Sequence, residues 1–180
     1  SQRQKNKMTN ERHIAHLDLD TFLVSVEKLR NPKLIGQPIL IGGSNDRGVV
    51  AACSYEARKF GIHSAMPMYM AKRLCSHAIV VKSDFEAYSK YSQIVTDIVK
   101  DTVPVFEKAS IDEFYVNLTG MDKFHGCKKF TDELKRKVIK ESGLPVSYGL
   151  ASNKLISKVA TNEVKPNGQI EIPYGEEKSY

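Results

Sequence analysis

Two adjacent acids stand in the stretch Ser110-Ile111-Asp112-Glu113-Phe114-Tyr115, between the apolar, β-prone runs Val103–Phe106 and Phe114–Leu118. Neighbouring side chains on a strand point to opposite faces, so on a strand with one buried face one of the two acids would face the core. A buried carboxylate stays ionised only when it is paired, bound to a metal or placed at a bend. The stretch therefore indicates either an exposed hairpin turn or a charged functional site.

A second acidic cluster favours the functional site. Asp18-Leu19-Asp20 follows another apolar run, and two carboxylate clusters that end two strands suit a divalent metal. Asp18 and Asp112 would bridge two ions, with Glu113 and the backbone carbonyl of Leu19 as further ligands. Asp20 is interpreted as structural, for example paired with a nearby cation.

The composition bounds the class of protein. A chain of 180 residues with 41% hydrophobic and 27% charged residues is typical of a soluble globular protein, and no run approaches the roughly 20 apolar residues of a membrane span. The net charge of +6 weakly favours a polyanionic partner such as nucleic acid. Three scattered cysteines, Cys53, Cys75 and Cys127, argue against zinc and disulfides and indicate a reducing cytoplasm. Residues 1–12 are polar and basic, so they predict a loose tail rather than a secretory signal.

The order of predicted elements gives the fold class. A predicted strand ends at Asp18, and a block of small mixed elements follows it. After this block come a long amphipathic helix, two strands that flank the acidic stretch, a second helix and another strand. These later elements are predicted over Phe85–Asp101, Val105–Ala109, Glu113–Leu118, Lys128–Glu141 and Pro145–Ala151. Their order predicts an α+β fold of the ferredoxin-like, split βαβ type. The first strand would lie beside the strand pair, so Asp18 and Asp112 would be neighbours in space.

Two basic motifs are candidates for binding phosphate. Tyr55 and Arg58 lie three residues apart on one face of a predicted helix, where Arg58 can grip phosphate oxygens and Tyr55 can donate a hydrogen bond. Lys165-Pro166-Asn167-Gly168 is a turn that presents a basic side chain. Each motif alone is equally consistent with an ordinary basic surface.

Four motifs in order resemble the Y-family, or lesion-bypass, DNA polymerases, most closely the DNA polymerase IV branch. They are His16-Leu17-Asp18-Leu19-Asp20-Thr21-Phe22, Tyr55-Glu56-Ala57-Arg58-Lys59-Phe60-Gly61, Ala109-Ser110-Ile111-Asp112-Glu113 and Lys165-Pro166-Asn167-Gly168. The resemblance runs from about residue 14 to residue 172. It implies a ferredoxin-like palm formed by residues 13–21 and 84–172, with a small α/β fingers subdomain inserted as residues 22–83. Residues 173–180 would begin the next region, and the thumb and C-terminal DNA-gripping domain would be absent.

The resemblance also implies a function. It predicts translesion synthesis in DNA repair, in which a nucleotide is transferred from a dNTP to a primer 3′-hydroxyl by a two-metal mechanism. Asp18, Asp112 and Glu113 would be catalytic metal ligands for two Mg²⁺ ions, with Mn²⁺ as an alternative. Tyr55, Arg58 and Lys165 would contact the triphosphate, and Phe22 would lie near the sugar and base. The implied partners are primer–template DNA, dNTP and a sliding clamp bound through C-terminal regions, with no membrane.

Two departures from the family pattern have consequences. The position that rejects ribonucleotides, the steric gate, holds Leu23, which lacks the flat ring that stacks under the sugar. We therefore expect the discrimination between deoxyribonucleotides and ribonucleotides to be altered and weakened.

The family also needs DNA-gripping domains to bind DNA tightly, because affinity for DNA scales with the number of phosphates contacted. A palm with fingers is therefore expected to bind metal, to bind nucleotide weakly and to extend a primer poorly.

Three other classes of protein share part of this pattern. Asp18-Leu19-Asp20-Thr21 also resembles the signature of a haloacid dehalogenase-type phosphohydrolase, with Asp18 as nucleophile and Asp20 as acid/base. That class requires a parallel, doubly wound sheet. Nucleotide cyclases use a split βαβ core and two metal-bound acids but do not account for the Tyr55 and Lys165 motifs. A non-catalytic basic module that binds nucleic acid is the third alternative.

Overall fold

The computed structural model describes residues 12–43, 47–121, 126–173 and 175–176. The predicted tail, except for Arg12, and most of residues 173–180 therefore lie outside the described residues. The chain divides into two compact units: Thr21–Tyr91 form one, and the described residues up to Asp20 together with those from Ser92 onward form the other. None of the helices among the described residues is long and apolar enough to cross a membrane.

The unit that carries both acidic clusters is built on a five-stranded sheet. Its strands are β1 (Ile14–Leu19), β5 (Phe106–Lys108), β6 (Glu113–Asn117), β7 (Val146–Ala151) and β8 (Gln169–Glu171), in the order β5-β6-β1-β7-β8. The central strand β1 is antiparallel to both β6 and β7, and only β8 pairs in parallel, with β7. This is the strand order of a ferredoxin-like sheet with one added edge strand, so the predicted fold class is confirmed.

The same sheet contradicts the phosphohydrolase alternative. That class requires parallel neighbours on both sides of the strand that carries Asp18, whereas both neighbours of β1 are antiparallel. A parallel neighbour needs a crossover connection. Here β5 and β6 are joined by a hairpin, which is the strand pair that the acidic stretch predicted.

Alternation along β1 places two leucines on one face of the sheet and two polar residues on the other. Leu17 and Leu19 point to one face with Phe114 and Tyr148, and all of these side chains are buried in the core. His16 and Asp18 point to the other face and are also buried. Helix α6 (Lys154–Glu163) packs against β7 and β1. It approaches β7 so closely that a Cβ added at Gly149 would lie 2.3 Å from the Ser157 carbonyl oxygen.

Two further helices complete this unit. The predicted long helix is α4 (Phe85–Thr102), of which the part from Ser92 onward belongs here. Helix α5 (Cys127–Ser142) packs against β7 and ends at Gly143, whose positive φ of 77° suits a residue without a side chain.

The other unit contains the small mixed elements. Helix α1 (Phe22–Arg30) is followed by a three-stranded sheet of β2 (Ile39–Gly42), β3 (Val50–Cys53) and β4 (Ile79–Lys82), in the order β3-β2-β4. The two short helices α2 (Tyr55–Arg58) and α3 (Met68–Leu74) lie between β3 and β4 along the chain. Ser54 caps α2, since its hydroxyl accepts a hydrogen bond from the Ala57 amide.

Candidate metal and phosphate site

The register of β1 against β6 brings the two acidic clusters together. Asp18 lies directly opposite Glu113, and the Leu19 amide donates a hydrogen bond of 2.9 Å to the Asp112 carbonyl oxygen. Asp18 and Asp112 are thus neighbours at one end of the sheet, as the ferredoxin-like arrangement predicts. Among the described residues, ligand atoms of His16, Asp18 and Glu113 all lie within 4.8 Å of one another.

Ser110 and Ser92 hold the acidic turn in place. The Ser110 hydroxyl lies 2.9 Å from Asp112 Oδ1 and 3.1 Å from Glu113 Oε2. The Ser92 hydroxyl donates a hydrogen bond of 2.6 Å to the Ile111 carbonyl oxygen. The segment is therefore a fixed bend rather than a loose charged turn.

Two lysines and a histidine surround the carboxylates. Lys165 Nζ lies 2.6 Å from Asp18 Oδ2, and Lys158 Nζ lies 3.2 Å from Glu113 Oε1. His16 Nε2 lies 2.9 Å from the same Glu113 oxygen. Positive charge and donated hydrogen bonds thus offset part of the repulsion among three acids.

These surroundings shift the pKa values of the three acids in different directions. Burial raises the pKa of Asp18 from 3.8 to about 6, against the opposing effect of Lys165, and the charges of Asp112 and Glu113 raise it further. Burial also raises the pKa of Asp112. Burial would raise the pKa of Glu113 as well, but hydrogen bonds from His16, Lys158 and Ser110 outweigh it and hold that pKa below its ordinary value.

The donor set fits a hard divalent cation. Carboxylate oxygens are the ligands that Mg²⁺ prefers, and a cation would relieve the unfavourable ionisation of the buried Asp18 and Asp112. The carbonyl of Leu19 stays a predicted ligand, since only the amide of that residue has a described contact with the cluster.

Asp20 has the structural role predicted for it. The Ser147 hydroxyl lies 2.8 Å from Asp20 Oδ1, and the Asn167 backbone amide donates a hydrogen bond of 2.7 Å to Oδ2. Asp18 and Asp20 thereby bind the two ends of the segment Lys165–Asn167. That segment is therefore a turn anchored to the end of β1 by side-chain contacts.

Sequence reasoning missed two residues around the acids and the turn. His16 is not among the site residues that the sequence predicts, yet it contacts Glu113; its position two residues before Asp18 on a strand, on the same face, is the signal that could have found it. Lys135 lies on a helix rich in exposed lysines, but it is itself buried. Its ammonium donates to the carbonyl oxygens of Asn167 and Gly168 and to Gln169 Oε1. No signal along the sequence distinguished it from its exposed neighbours.

The remaining predicted site residues belong to the other unit. Phe22 begins α1 and is buried, with its ring centroid 6.4 Å from that of Tyr88, while Leu23 is half-buried. The guanidinium of Arg58 lies over the ring of Tyr55, 4.8 Å from its centroid. The predicted roles of these four residues toward a nucleotide stay predictions.

Comparisons with known proteins converge on one group. A profile of the impB/mucB/samB family matches residues 17–162. The chain is 45% identical over 171 residues to a DNA polymerase IV of Treponema denticola, covering 94% of this chain and 43% of that protein. It is 44% identical over 171 residues to a DNA polymerase IV of Dehalococcoides mccartyi, covering 94% of this chain and 44% of that protein.

Solved structures give the same result. An insertion ternary complex of Dbh DNA polymerase matches with a TM-score of 0.86 and 28% identity, over 91% of this chain and 49% of that one. The crystal structure of DinB from Sulfolobus solfataricus matches with a TM-score of 0.87 and 29% identity, over the same shares of the two chains. The chain thus spans about half the length of the proteins it matches.

Proposed function

This chain belongs to the impB/mucB/samB family, the Y-family DNA polymerases, and we propose that it is the palm and fingers of an enzyme that transfers a nucleotide from a dNTP to a primer 3′-hydroxyl. The observation that carries the proposal is the convergence of Asp18, Asp112 and Glu113 at one end of the sheet, from strands far apart in the chain. Neither the phosphohydrolase nor a non-catalytic module is supported by the relatives.

Two Mg²⁺ ions, with Mn²⁺ as an alternative, would be held by Asp18, Asp112 and Glu113. Bound divalent ions supply activation of the attacking oxygen and stabilisation of the leaving one in an in-line displacement at phosphorus. Ser110 fixes the two acids of the turn, so their oxygens need not reorganise when charge develops.

When a nucleotide binds, Lys165 would exchange Asp18 for the triphosphate as its partner. Its ammonium neutralises Asp18 in the absence of ligand, and a triphosphate offers a stronger anionic partner. Asp20 and Lys135 keep the turn fixed, so the exchange requires only the Lys165 side chain to move.

Tyr55 and Arg58 are proposed to contact the triphosphate, and Phe22 and Leu23 the sugar and base. Support comes from the motif match and from the local arrangement on α2, where the exposed Arg58 lies over the Tyr55 ring. Primer–template DNA and a sliding clamp are the proposed macromolecular partners, and lesion bypass in DNA repair is the proposed process. A reducing compartment such as the cytoplasm suits the three buried cysteines, which form no disulfide.

The test is metal-dependent nucleotide binding by the purified chain, followed by primer extension at saturating protein. We expect dATP to bind with Mn²⁺ and not with EDTA, and the binding to be lost in Asp112→Asn. The exposed Asp101→Asn is the control that removes an acid of the same type outside the cluster. Binding that is indifferent to both metal and Asp112 would contradict the proposal.

A further inference from the structure

Hydrogen bonds through His16 on β1 join helix α6 to strand β6 beside the acidic cluster. The His16 side chain is fully buried, with 0% exposure. Its Nδ1 lies 2.7 Å from Thr161 Oγ1 on α6, 145 residues away, and its Nε2 lies 2.9 Å from Glu113 Oε1, 97 residues away. The ring is also packed against Tyr115, with 4.9 Å between the ring centroids. Both ring nitrogens and the ring orientation are therefore fixed by other elements.

The partners determine where the ring proton lies. A neutral imidazole has one donor and one acceptor nitrogen. The Glu113 carboxylate only accepts, so Nε2 carries a proton and donates it to Oε1. The single proton of the Thr161 hydroxyl is shared among Nδ1, the Ser157 carbonyl oxygen at 2.8 Å and the His16 carbonyl oxygen at 3.1 Å.

His16 differs from the other group on the same oxygen. Lys158 Nζ lies 3.2 Å from Glu113 Oε1, but the lysine side chain is 47% exposed and ends a long flexible stem. His16 is short, ring-shaped and buried. At Oε1 it is therefore the contact that can fix the direction of the carboxylate rather than only neutralise it, as Ser110 does at Oε2.

We propose that His16, held by Thr161, is a positioning residue that fixes the Glu113 carboxylate for binding a divalent ion. The inference rests on the proposed function, because it takes Glu113 as a metal ligand. Groups that donate hydrogen bonds to a ligating carboxylate orient it, and losing such a partner typically costs about 10- to 100-fold in metal affinity.

The experiment is a Mn²⁺ titration of the 180-residue chain, followed by the electron paramagnetic resonance signal of free Mn²⁺. We expect His16→Phe, which fills the space without a donor, to weaken binding by about 10-fold. His16→Gln places an amide N–H near the position of Nε2, so we expect its affinity to return to within about 3-fold of the parent. Equal affinities for His16→Phe and the parent would overturn the inference.

A second pair of variants covers the case in which His16→Phe does not fold. Thr161→Val removes the hydroxyl and keeps the shape, whereas Thr161→Ser keeps the hydroxyl. We expect a several-fold weaker Mn²⁺ affinity only in Thr161→Val, and equal affinities in the two variants would overturn the inference. The ¹⁵N spectrum of the histidine side chains provides a direct check, because a proton must lie on Nε2 of His16 in the parent; an Nε2 without a proton would contradict the arrangement.

Asp112→Asn separates this inference from the proposed function. If Asp112→Asn abolishes Mn²⁺ binding while the His16 and Thr161 variants leave it unchanged, the positioning role is wrong and the metal site stands. If Asp112→Asn also leaves Mn²⁺ binding unchanged, both the positioning role and the proposed metal site are wrong.

Discussion

Lys165 Nζ lies 2.6 Å from Asp18 Oδ2, across 147 residues of sequence, and joins the turn after α6 to the end of β1. The contact is partly buried, with 26% of the lysine side chain and 9% of the aspartate side chain exposed. A buried carboxylate is costly even with such a partner, so Asp18 makes its own contribution to the pH dependence of stability.

Asp18 makes the chain less stable as the pH rises. Its pKa is about 6 in the folded protein against an ordinary 3.8, so the folded state binds the proton more tightly. The favourable contribution is complete below about pH 4 and is lost as the pH rises through about 6, a loss of at most about 3 kcal/mol. We expect the free energy of unfolding of the parent, relative to Asp18→Asn, to fall across this range, as measured by urea unfolding without metal.

The comparison with Asp18→Asn isolates this residue, because Glu113, whose pKa is lowered, contributes in the opposite sense. The exposed Asp101→Asn is the matched control. A parent-minus-variant difference that does not change between pH 4 and pH 7 would show that Asp18 ionises without a burial cost.

Lys135 stabilises the turn that carries Lys165. Its buried ammonium donates hydrogen bonds of 3.0 Å to the Asn167 carbonyl oxygen and 2.6 Å to Gln169 Oε1. We expect Lys135→Met to lower the free energy of unfolding by about 1–3 kcal/mol, because the hydrogen bonds that the ammonium group donates to the turn are lost. The Asn167 and Gly168 amides should also exchange hydrogen faster with solvent.

The control for Lys135 lies on the same helix. Lys137 is exposed, so Lys137→Met should change stability by less than about 0.5 kcal/mol. Unchanged amide exchange at residues 167 and 168 in Lys135→Met would mean that the turn is held without it.

Gly149 is required for the close packing of α6 on β7. A Cβ there would lie 2.3 Å from the Ser157 carbonyl oxygen and 2.8 Å from the Thr161 amide nitrogen, both of which are backbone atoms that cannot rotate away. We expect Gly149→Ala to destabilise the chain by about 2 kcal/mol or more in thermal or urea unfolding, as overpacking does. Gly43→Ala is the control, since nothing lies within 4 Å of a Cβ at that position.

Leu23 offers a test of sugar discrimination. A branched aliphatic side chain lacks the flat ring that stacks under a deoxyribose, so we expect Leu23→Phe to raise the preference for dATP over ATP. The measurement is the ratio of the two dissociation constants for the purified chain with Mn²⁺, with Leu23→Ile as the size-matched control. A ratio that Phe leaves unchanged would refute the hypothesis.

Local pattern was sufficient for most of the secondary structure. The break at Asn31-Pro32, the cap at Ser54 and the glycine at residue 143 each act through the backbone of their own segment, so the nearby residues are enough to predict them. The alternation before Asp18 and around the acidic stretch likewise indicated two strands that end in carboxylates.

The order of elements along the chain also predicted that Asp18 and Asp112 would meet, because the ferredoxin-like arrangement places the first strand beside the hairpin. What the sequence by itself determined is therefore the set of elements, their order and the acids at their ends. Only the tertiary structure decided that His16 contacts Glu113, that Lys165 neutralises Asp18 and that Lys135 is buried beneath the turn. The physical reason is that each of these contacts joins side chains from different elements, and their partners depend on strand register and helix packing, which no local pattern specifies.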